Sequence, residues 1–500
     1  MFIFVATMYK NNFKMKKNAM IFLLMLLLAG GTVSAQRAQK PFDIDLWAQG
    51  MPNTNGVDNT PFDESKGNFK PSIRVFLPAP ELSTGRVVIA CPGGGYSHLA
   101  YHHEGYDWAP YFNKQGIALV VLKYRMPFGG HLEVPVSDAE EALKMVRDSA
   151  DVWNVNRYDV GIMGSSAGGH LASTVATHAA PEVRPNFQIL FYPVITMDKS
   201  YTHLGSHDNL LGKDASEELE KKYSNEKQVT QETPRAFIVY SDDDKVVPPA
   251  NGANYYVALN KQNVPASFHV FPSGGHGWGI NESFLYKTQM LDALTSWLQT
   301  WKAPRSNAIR VACIGNSITF GARIKDRMHD SYPAVLARLL GDEYLVHNYG
   351  VSARTMLNKG DHPYMNEPAY RNALAFNPQV VIIKLGTNDS KQHNWQFKAD
   401  YMKDMQQMID AFRSLPAHPD IYLCLPAKAY TPNATTNIND SIIVNELIPM
   451  IRKAAKKNKL KVIDLHTAMD HMPELFPDQV HPNEKGAEVM AKTIYQAIKQ

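Results

Sequence analysis

The sequence predicts two α/β domains in tandem, each built on a mainly parallel sheet, and three observations carry that prediction. Short apolar runs alternate with longer amphipathic segments through residues 36–301 and again through 308–500, the order expected when helices cover both faces of a buried parallel sheet. A short polar segment, Lys302-Ala303-Pro304-Arg305-Ser306-Asn307, interrupts the alternation and is broken by a proline, as linkers are. Each half also carries its own serine, glycine and histidine motifs, and neither half repeats the other. The linker leaves about 265 residues before it and about 195 after it, each enough for one domain.

Residues 1–35 stand apart from both domains. Lys14, Lys16 and Lys17 precede an apolar run from Ala19 to Leu28, and Gly30, Gly31 and Thr32-Val33-Ser34-Ala35 follow it. Basic, then apolar, then small is the order of a secretory signal peptide, with cleavage after Ala35 and a mature chain beginning near Gln36. The run is shorter than the roughly 20 apolar residues needed to span a bilayer, so no membrane insertion is expected. The first cysteine is Cys91, too far downstream for a lipoprotein anchor. A secreted or periplasmic protein is the expectation.

In the first half the strand candidates are Arg86 to Cys91, Ile117 to Leu122, Val160 to Met163, Gln188 to Tyr192, Ala236 to Tyr240 and Ser267 to Phe271. In the second they are Ile309 to Ile314, Tyr344 to Asn348, Val380 to Leu385, Ile421 to Leu425 and Lys461 to Ile463. A helix carrying Trp297, Leu298 and Trp301 closes the first series. Cys91, Cys313 and Cys424 are odd in number, widely spaced and set in strand-like apolar runs. They form neither a disulfide framework nor a metal-binding pair, and read as buried small hydrophobes.

Composition narrows the function. Hydrophobic residues at 44% and charged residues at 20% describe an ordinary globular chain. Lys plus Arg at 51 against Asp plus Glu at 48 gives a net charge of +3. That balance excludes a protein whose affinity rests on neutralising many phosphates, so nucleic acid is not an expected partner.

The strand ending at Met163 runs into Gly164-Ser165-Ser166-Ala167-Gly168 and then a helical start, a GxSxG pattern in strand-turn-helix context. The flanking glycines permit a sharp turn that lifts Ser166 clear of the sheet, and the Ala167 N–H points where negative charge develops. Upstream, Cys91-Pro92-Gly93-Gly94-Gly95-Tyr96 follows another strand, and Gly94 and Gly95 are placed to supply the second oxyanion N–H. Downstream, Asp242-Asp243-Asp244-Lys245-Val246-Val247-Pro248 and Gly274-Gly275-His276-Gly277 follow successive strands. A serine nucleophile needs a histidine base and a carboxylate to fix its tautomer, which suits Ser166, His276 and one aspartate. The spacing DxxVP favours Asp244, with Asp243 as the alternative.

These motifs, with Lys123-Tyr124-Arg125 after a strand, resemble the α/β-hydrolase carbohydrate esterases, a group that includes xylan acetylesterases and a bifunctional deacetylase and feruloyl esterase. The resemblance spans nearly all of residues 36–301. It implies hydrolysis of acetyl esters on plant polysaccharide, with the acceptance of feruloyl esters left open. Cys91-Pro92 stands where better-known esterases carry a histidine, a change that a loop acting through backbone N–H groups tolerates.

In the second half Val311-Ala312-Cys313-Ile314 leads into Gly315-Asn316-Ser317-Ile318-Thr319. Asn348-Tyr349-Gly350, Gly386-Thr387-Asn388-Asp389 and Asp478-Gln479-Val480-His481-Pro482-Asn483 follow in order. Their place at the carboxyl ends of successive strands is where open parallel sheets bind ligands. The four blocks resemble the SGNH, or GDSL, hydrolases, with a flavodoxin-like sheet, over about 190 residues. By that resemblance Ser317 is the nucleophile, His481 the base and Asp478 its orienting carboxylate. The N–H groups of Ser317 and Gly350 and the Asn388 side-chain amide form the oxyanion hole. Asn316 replaces the aspartate usual before this serine, and Ala353 stands where many relatives have a glycine.

Other features are weighed against plainer readings. His98, His102 and His103 match no zinc spacing, so they are expected to line or underlie the first pocket and no metal is expected. His269 reads as structural. Residues 215–227, rich in Glu and Lys, predict a solvated helix over the first site. Lys359-Gly360-Asp361-His362-Pro363-Tyr364 reads as a loop near the second.

The combined expectation is a secreted tandem serine esterase acting on acetylated polysaccharide or oligosaccharide at two independent sites, without cofactor. The alternatives are one active esterase joined to a carbohydrate-binding domain, a sialate O-acetylesterase, or a peptidase or lipase on the same folds.

Overall fold

The computed structural model describes residues 39–430 and 437–499, so the expected signal peptide lies outside the described residues. Two sheets organise the chain. The first contains β1 (Phe42–Asp45), β2 (Ser72–Phe76), β3 (Val87–Cys91), β4 (Ala118–Lys123), β5 (Val160–Ser165), β6 (Phe187–Phe191), β7 (Arg235–Ser241) and β8 (Ala266–Phe271) in the order β1-β2-β4-β3-β5-β6-β7-β8. β2 pairs antiparallel with β1 and β4, and every other neighbouring pair is parallel. The second contains β9 (Ile309–Gly315), β10 (Tyr344–Gly350), β11 (Val380–Lys384), β12 (Asp420–Leu425) and β13 (Lys461–Asp464) in the order β10-β9-β11-β12-β13, all parallel.

The central strands form where both faces can be buried. β3, β5 and β6 are buried along their whole length, which is why they appear in the sequence as unbroken apolar runs. In the second sheet the two-residue period divides the side chains cleanly. Ala312, Ile314, Val381 and Ile383 enter the core on one face, and Val311, Cys313, Val380 and Ile382 the core on the other. All three cysteines are buried and unpaired.

The pair β1 and β2 is absent from the sequence expectation. β1 alternates half-buried and exposed positions and β2 half-buried and buried ones, and charges lie on the outer side: Arg74 binds both carboxylate oxygens of Asp43 (2.8 and 2.7 Å), and Lys70 reaches Asp45 (2.6 Å). Short strands of this kind lack the apolar run that reveals the central ones.

Each sheet has a point where successive connections depart in opposite directions. In the first it lies between β3 and β5, and in the second between β9 and β11. A crevice opens at the carboxyl ends of such strand pairs. Ser166 follows β5 and Ser317 follows β9.

The segment between the sheets is held on both sides. Asn156 donates to the Pro304 carbonyl (2.6 Å), and Lys302 and Arg305 pair with Asp342 (2.9 and 3.5 Å). Farther away, the Glu232 carboxylate bridges Arg184 (3.2 Å) and Arg327 (3.1 Å). The expected helix over residues 215–227 is shorter, Glu217–Tyr223, followed by a turn at Asn225–Lys227. Its Glu and Lys residues face outward, but Tyr223, Ser224 and Asn225 are buried, so its end is packed into the first unit. Among the described residues no helix is long and apolar enough to cross a membrane.

Candidate active sites

Ser166 begins the helix Ser166–His178 at φ 52°, a left-handed backbone conformation unfavourable for a serine. The tight turn depends on its glycines. A Cβ at Gly164 would lie 2.1 Å from the Gly168 carbonyl oxygen, and one at Gly168 would lie 2.0 Å from the Cys91 oxygen. The turn aims Ser166 Oγ at His276 Nε2, 2.9 Å away, and His276 Nδ1 lies 2.7 Å from Asp244 Oδ2. Asp244 is buried, and its other oxygen accepts the N–H groups of Val246 and Val247 (2.9 Å each). With a carboxylate at Nδ1, the ring proton sits there and Nε2 is free to accept from the serine. Asp243 instead accepts the Gly275 N–H (2.8 Å), so it shapes the histidine loop without touching the ring.

The glycine loop after β3 approaches this serine closely. A Cβ at Gly93 would lie 2.9 Å from that of Ser166. Gly94 (φ 132°) and Gly95 (φ 62°) occupy conformations suited to glycine, and among the described residues no hydrogen bond occupies their N–H groups. The Ala167 N–H belongs to the first helical turn, whose amides have no partner within the helix.

Glu104, which the sequence did not single out, supports this loop. Almost wholly buried, it accepts the Gly93 N–H (2.7 Å) on one oxygen and the Tyr192 hydroxyl (2.7 Å) on the other. Tyr192 in turn accepts the Gly279 N–H (2.8 Å), and its ring meets His276 edge-on at 4.7 Å. One carboxylate thereby joins the glycine loop to the histidine loop.

The helix Leu204–Leu211 fixes the loop from the other side, Asn209 donating to the Gly95 carbonyl (2.8 Å). His203 caps that helix by accepting the Ser206 N–H on Nδ1 (3.2 Å), which leaves the proton on Nε2. Burial, then the neighbouring His276, hold His203 below the usual histidine range. Nothing in the sequence marked it.

The remaining histidines divide by burial. His170 is buried, accepts from Tyr96 (2.9 Å), donates to the Tyr223 carbonyl (2.8 Å), and is pushed down to about 4 by burial. His98 is exposed beside Ser97, and His102 packs on Tyr101 and Tyr106. The His103 carbonyl accepts the Ile280 N–H (3.0 Å), and His269 contacts Ser267 (2.7 Å) and Phe237. Among the described residues no group of three His, Cys, Asp or Glu could hold a metal ion.

In the second unit Asn316 caps the short helix Ser317–Phe320 by accepting the Ile318 N–H (3.2 Å). Ser317 Oγ lies 2.7 Å from His481 Nε2, and His481 Nδ1 lies 2.7 Å from Asp478 Oδ2. Asp478 also accepts the N–H groups of Val480 (3.1 Å) and His481 (2.7 Å), so this segment turns around its own carboxylate. Burial acts to raise Asp478, but the His481 amide and ring outweigh it and hold the carboxyl below its ordinary range. Arg323, also unmarked in the sequence, places Nε 2.7 Å from Asp478 Oδ2.

The expected oxyanion groups of this unit fare differently. Asn388 is buried, with Nδ2 donating to the Arg354 carbonyl (3.1 Å), and its own carbonyl accepts from Asn394 (3.0 Å). Asn394 also binds Asp361 (3.0 Å), which ties the 359–364 loop to the Asn388 block. Gly350 departs from the expectation that its N–H faces the oxyanion, because that N–H donates to Asn348 Oδ1 (2.9 Å). Its missing side chain serves close packing instead: a Cβ there would lie 2.1 Å from the Phe320 nitrogen. Ala353 takes φ 68°, the conformation that a glycine would adopt freely.

Comparison with known proteins agrees with this division. Residues 73–259 match the BD-FAE family, and residues 313–489 match the GDSL-like Lipase/Acylhydrolase family. An acetylxylan esterase of Xylanibacter ruminicola is 45% identical over 504 aligned residues, covering 96% of this chain and all of that protein. The endo-1,4-beta-xylanase B of Butyrivibrio fibrisolvens is 33% identical over 44% of this chain and 37% of its own length. A crystal structure of an acetyl ester-xyloside bifunctional hydrolase from Caldicellulosiruptor lactoaceticus is 31% identical, with a TM-score of 0.45, over 54% of this chain and 98% of that one. The chain belongs to the same family as the Xylanibacter acetylxylan esterase, joins an α/β-hydrolase unit to a GDSL-type unit, and is a carboxylic ester hydrolase.

Proposed function

We propose that the chain is a bifunctional serine esterase that removes acetyl groups from xylan or related plant polysaccharide at two independent sites. The observation that carries this reading is that both units hold an unbroken serine, histidine and aspartate chain, with every link between 2.7 and 2.9 Å. In the first, Ser166 attacks the ester carbonyl, His276 takes its proton, and Asp244 stabilises the resulting imidazolium. The N–H groups of Ala167 and of Gly94 or Gly95 receive the oxyanion. In the second, Ser317, His481 and Asp478 play the same parts, and the second Nδ2 hydrogen of Asn388 is the side-chain donor. Gly350 joins that hole only by exchanging its bond to Asn348 for one to substrate.

At each site the histidine gives its proton to the sugar oxygen as the ester C–O bond breaks, so the sugar leaves as a hydroxyl and an acetyl-enzyme remains. The same histidine then activates water to release acetate. The domains fall at residues 36–301 and 308–500, and residues 1–35 direct secretion, which brings the enzyme to a polymer too large to enter a cell.

The test is a set of Ser166→Ala, Ser317→Ala and double variants assayed for acetate release from acetylated xylan, acetylated oligosaccharides and a feruloyl ester. Each single variant is expected to keep part of the acetate release, and the double variant to lose it all. If either single variant loses all activity on every substrate, the two-site reading fails.

A further inference from the structure

Lys384 ends β11 with its side chain wholly inside the protein, 0% exposed. Its Nζ donates to Asn316 Oδ1 at 3.3 Å and to Thr387 Oγ1 at 3.1 Å. Asn316 directly precedes Ser317 and caps its helix, and Thr387 directly precedes Asn388. One amine therefore spans β9 and β11 at the switch point, a single residue behind the serine on one side and behind the amide donor on the other.

Packing alone does not call for a lysine here. Among the described residues no carboxylate pairs with it. The titratable group facing it is Cys424 of β12, with Cys313 of β9 and Tyr332 behind. Burial raises all three, Cys424 to about 12, so all are neutral. The buried Asp389 carboxylate is taken up by the N–H groups of Met356 and Leu357, and Asp478 and His481 lie beyond Ser317. Asn316 Nδ2 is buried without a partner, so the pair is not closed into a satisfied network. An unpaired ammonium in such a place is costly, and burial pushes Lys384 down to about 7. An apolar chain of similar length would fill the space without that cost.

We infer that Lys384 is a positioning residue of the second site, holding the Ser317 turn and the Asn388 amide in mutual register and placing a positive charge behind the oxyanion hole. In a water-poor interior such a charge favours the negative charge that develops during attack. The inference rests on the reading of Ser317 as nucleophile.

The test uses the full chain carrying Ser166→Ala, so that ester hydrolysis reports the second site, with the Ser166→Ala/Ser317→Ala double variant as its zero. If the double variant is as active as Ser166→Ala, the reading of the site itself fails. With that control intact, Lys384→Met is expected to lower kcat about tenfold to a hundredfold while KM changes less than about threefold. Asn316→Asp gives the amine a carboxylate partner and is expected to move the alkaline limb of the kcat profile up by about one pH unit or more. A lysine that only fills space would not move that limb. A Lys384→Met kcat within about twofold of its parent overturns the inference, as does an Asn316→Asp limb that stays in place. If Lys384→Met does not fold, judged by near-UV circular dichroism, the Asn316→Asp profile decides.

Discussion

Arg323 and His481 share one carboxylate oxygen: Arg323 Nε and His481 Nδ1 each lie 2.7 Å from Oδ2 of Asp478. The guanidinium draws on the same negative charge that must steady the imidazolium when His481 takes up a proton. Arg323→Gln returns that charge to the histidine. kcat/KM at the second site is then expected to rise by less than about threefold. Arg323 is 63% exposed, so screening weakens the contact. The difference between the two enzymes should therefore shrink in about 0.5 M salt, a Debye length of only a few ångströms. A fall in kcat/KM on Arg323→Gln would contradict this account.

The first site separates two neighbouring aspartates by role. Asp244 touches His276 Nδ1, whereas Asp243 holds only the Gly275 N–H. In a Ser317→Ala background, Asp244→Asn is expected to lower kcat by about three to four orders of magnitude, because an amide at Nδ1 favours the wrong ring tautomer. Asp243→Asn keeps an amide oxygen for the Gly275 N–H and only weakens that one hydrogen bond in a half-exposed loop, so it is expected to cost less than about tenfold. Equal losses in steady-state kinetics would show that loop geometry, not ring orientation, governs the site.

Glu104 offers a test of the glycine loop. Its two oxygens satisfy the Gly93 N–H and the Tyr192 hydroxyl in an almost dry setting. Glu104→Gln has one oxygen for two donors, so one buried donor is left unpaired at about 1 to 3 kcal/mol. Urea unfolding should show that loss. Site-one kcat should fall with it, since Gly94 and Gly95 adjoin the released amide.

The elements that were legible in the sequence share a physical property. β3 to β13 appear within a residue or two of their true bounds; in β3, β5, β6 and β11 burial on both faces demands continuous apolar residues. The serines, histidines and Asp478 were readable because each sits in a tight turn whose glycines or short spacing are local. Asp244 needed the structure to separate it from Asp243. Glu104, His203, Arg323 and Lys384 left no local signal. Glu104 meets Tyr192 across 88 residues, and Lys384 meets Asn316 across 68. Such contacts come from the strand order, not from spacing along the chain. Gly350 adds a packing demand that spacing along the chain does not show, since a Cβ there would meet Phe320.

Ala353 carries a left-handed backbone without the freedom of glycine. A Cβ in that conformation costs roughly 1 to 2 kcal/mol, and the extra entropy of an unfolded glycine returns about half of this. Ala353→Gly is therefore expected to stabilise the second unit by about 0.5 to 1 kcal/mol, read as a higher urea midpoint at unchanged slope. Activity at the second site should stay within about twofold, because the native backbone is retained.

Lys384 predicts a pH dependence of stability with a definite sign. Its amine is held at about 7 in the folded protein against 10.5 when unperturbed. Between those values the unfolded chain binds the additional proton, so stability rises with pH from about 7 to about 10.5. Below about 7 both states are protonated and the full cost of the buried charge remains. Each unit of the shift corresponds to about 1.4 kcal/mol, which makes the increment a few kcal/mol across the window. Lys384→Met removes the titrating group. Urea unfolding of the second unit should then show the variant more stable than its parent at pH 7, with the gap closing as pH approaches 10. If the gap is the same at both ends of the window, the buried amine is not the source. A variant that gains stability at neutral pH while losing turnover at Ser317 would show that this amine is kept for the reaction and not for the fold.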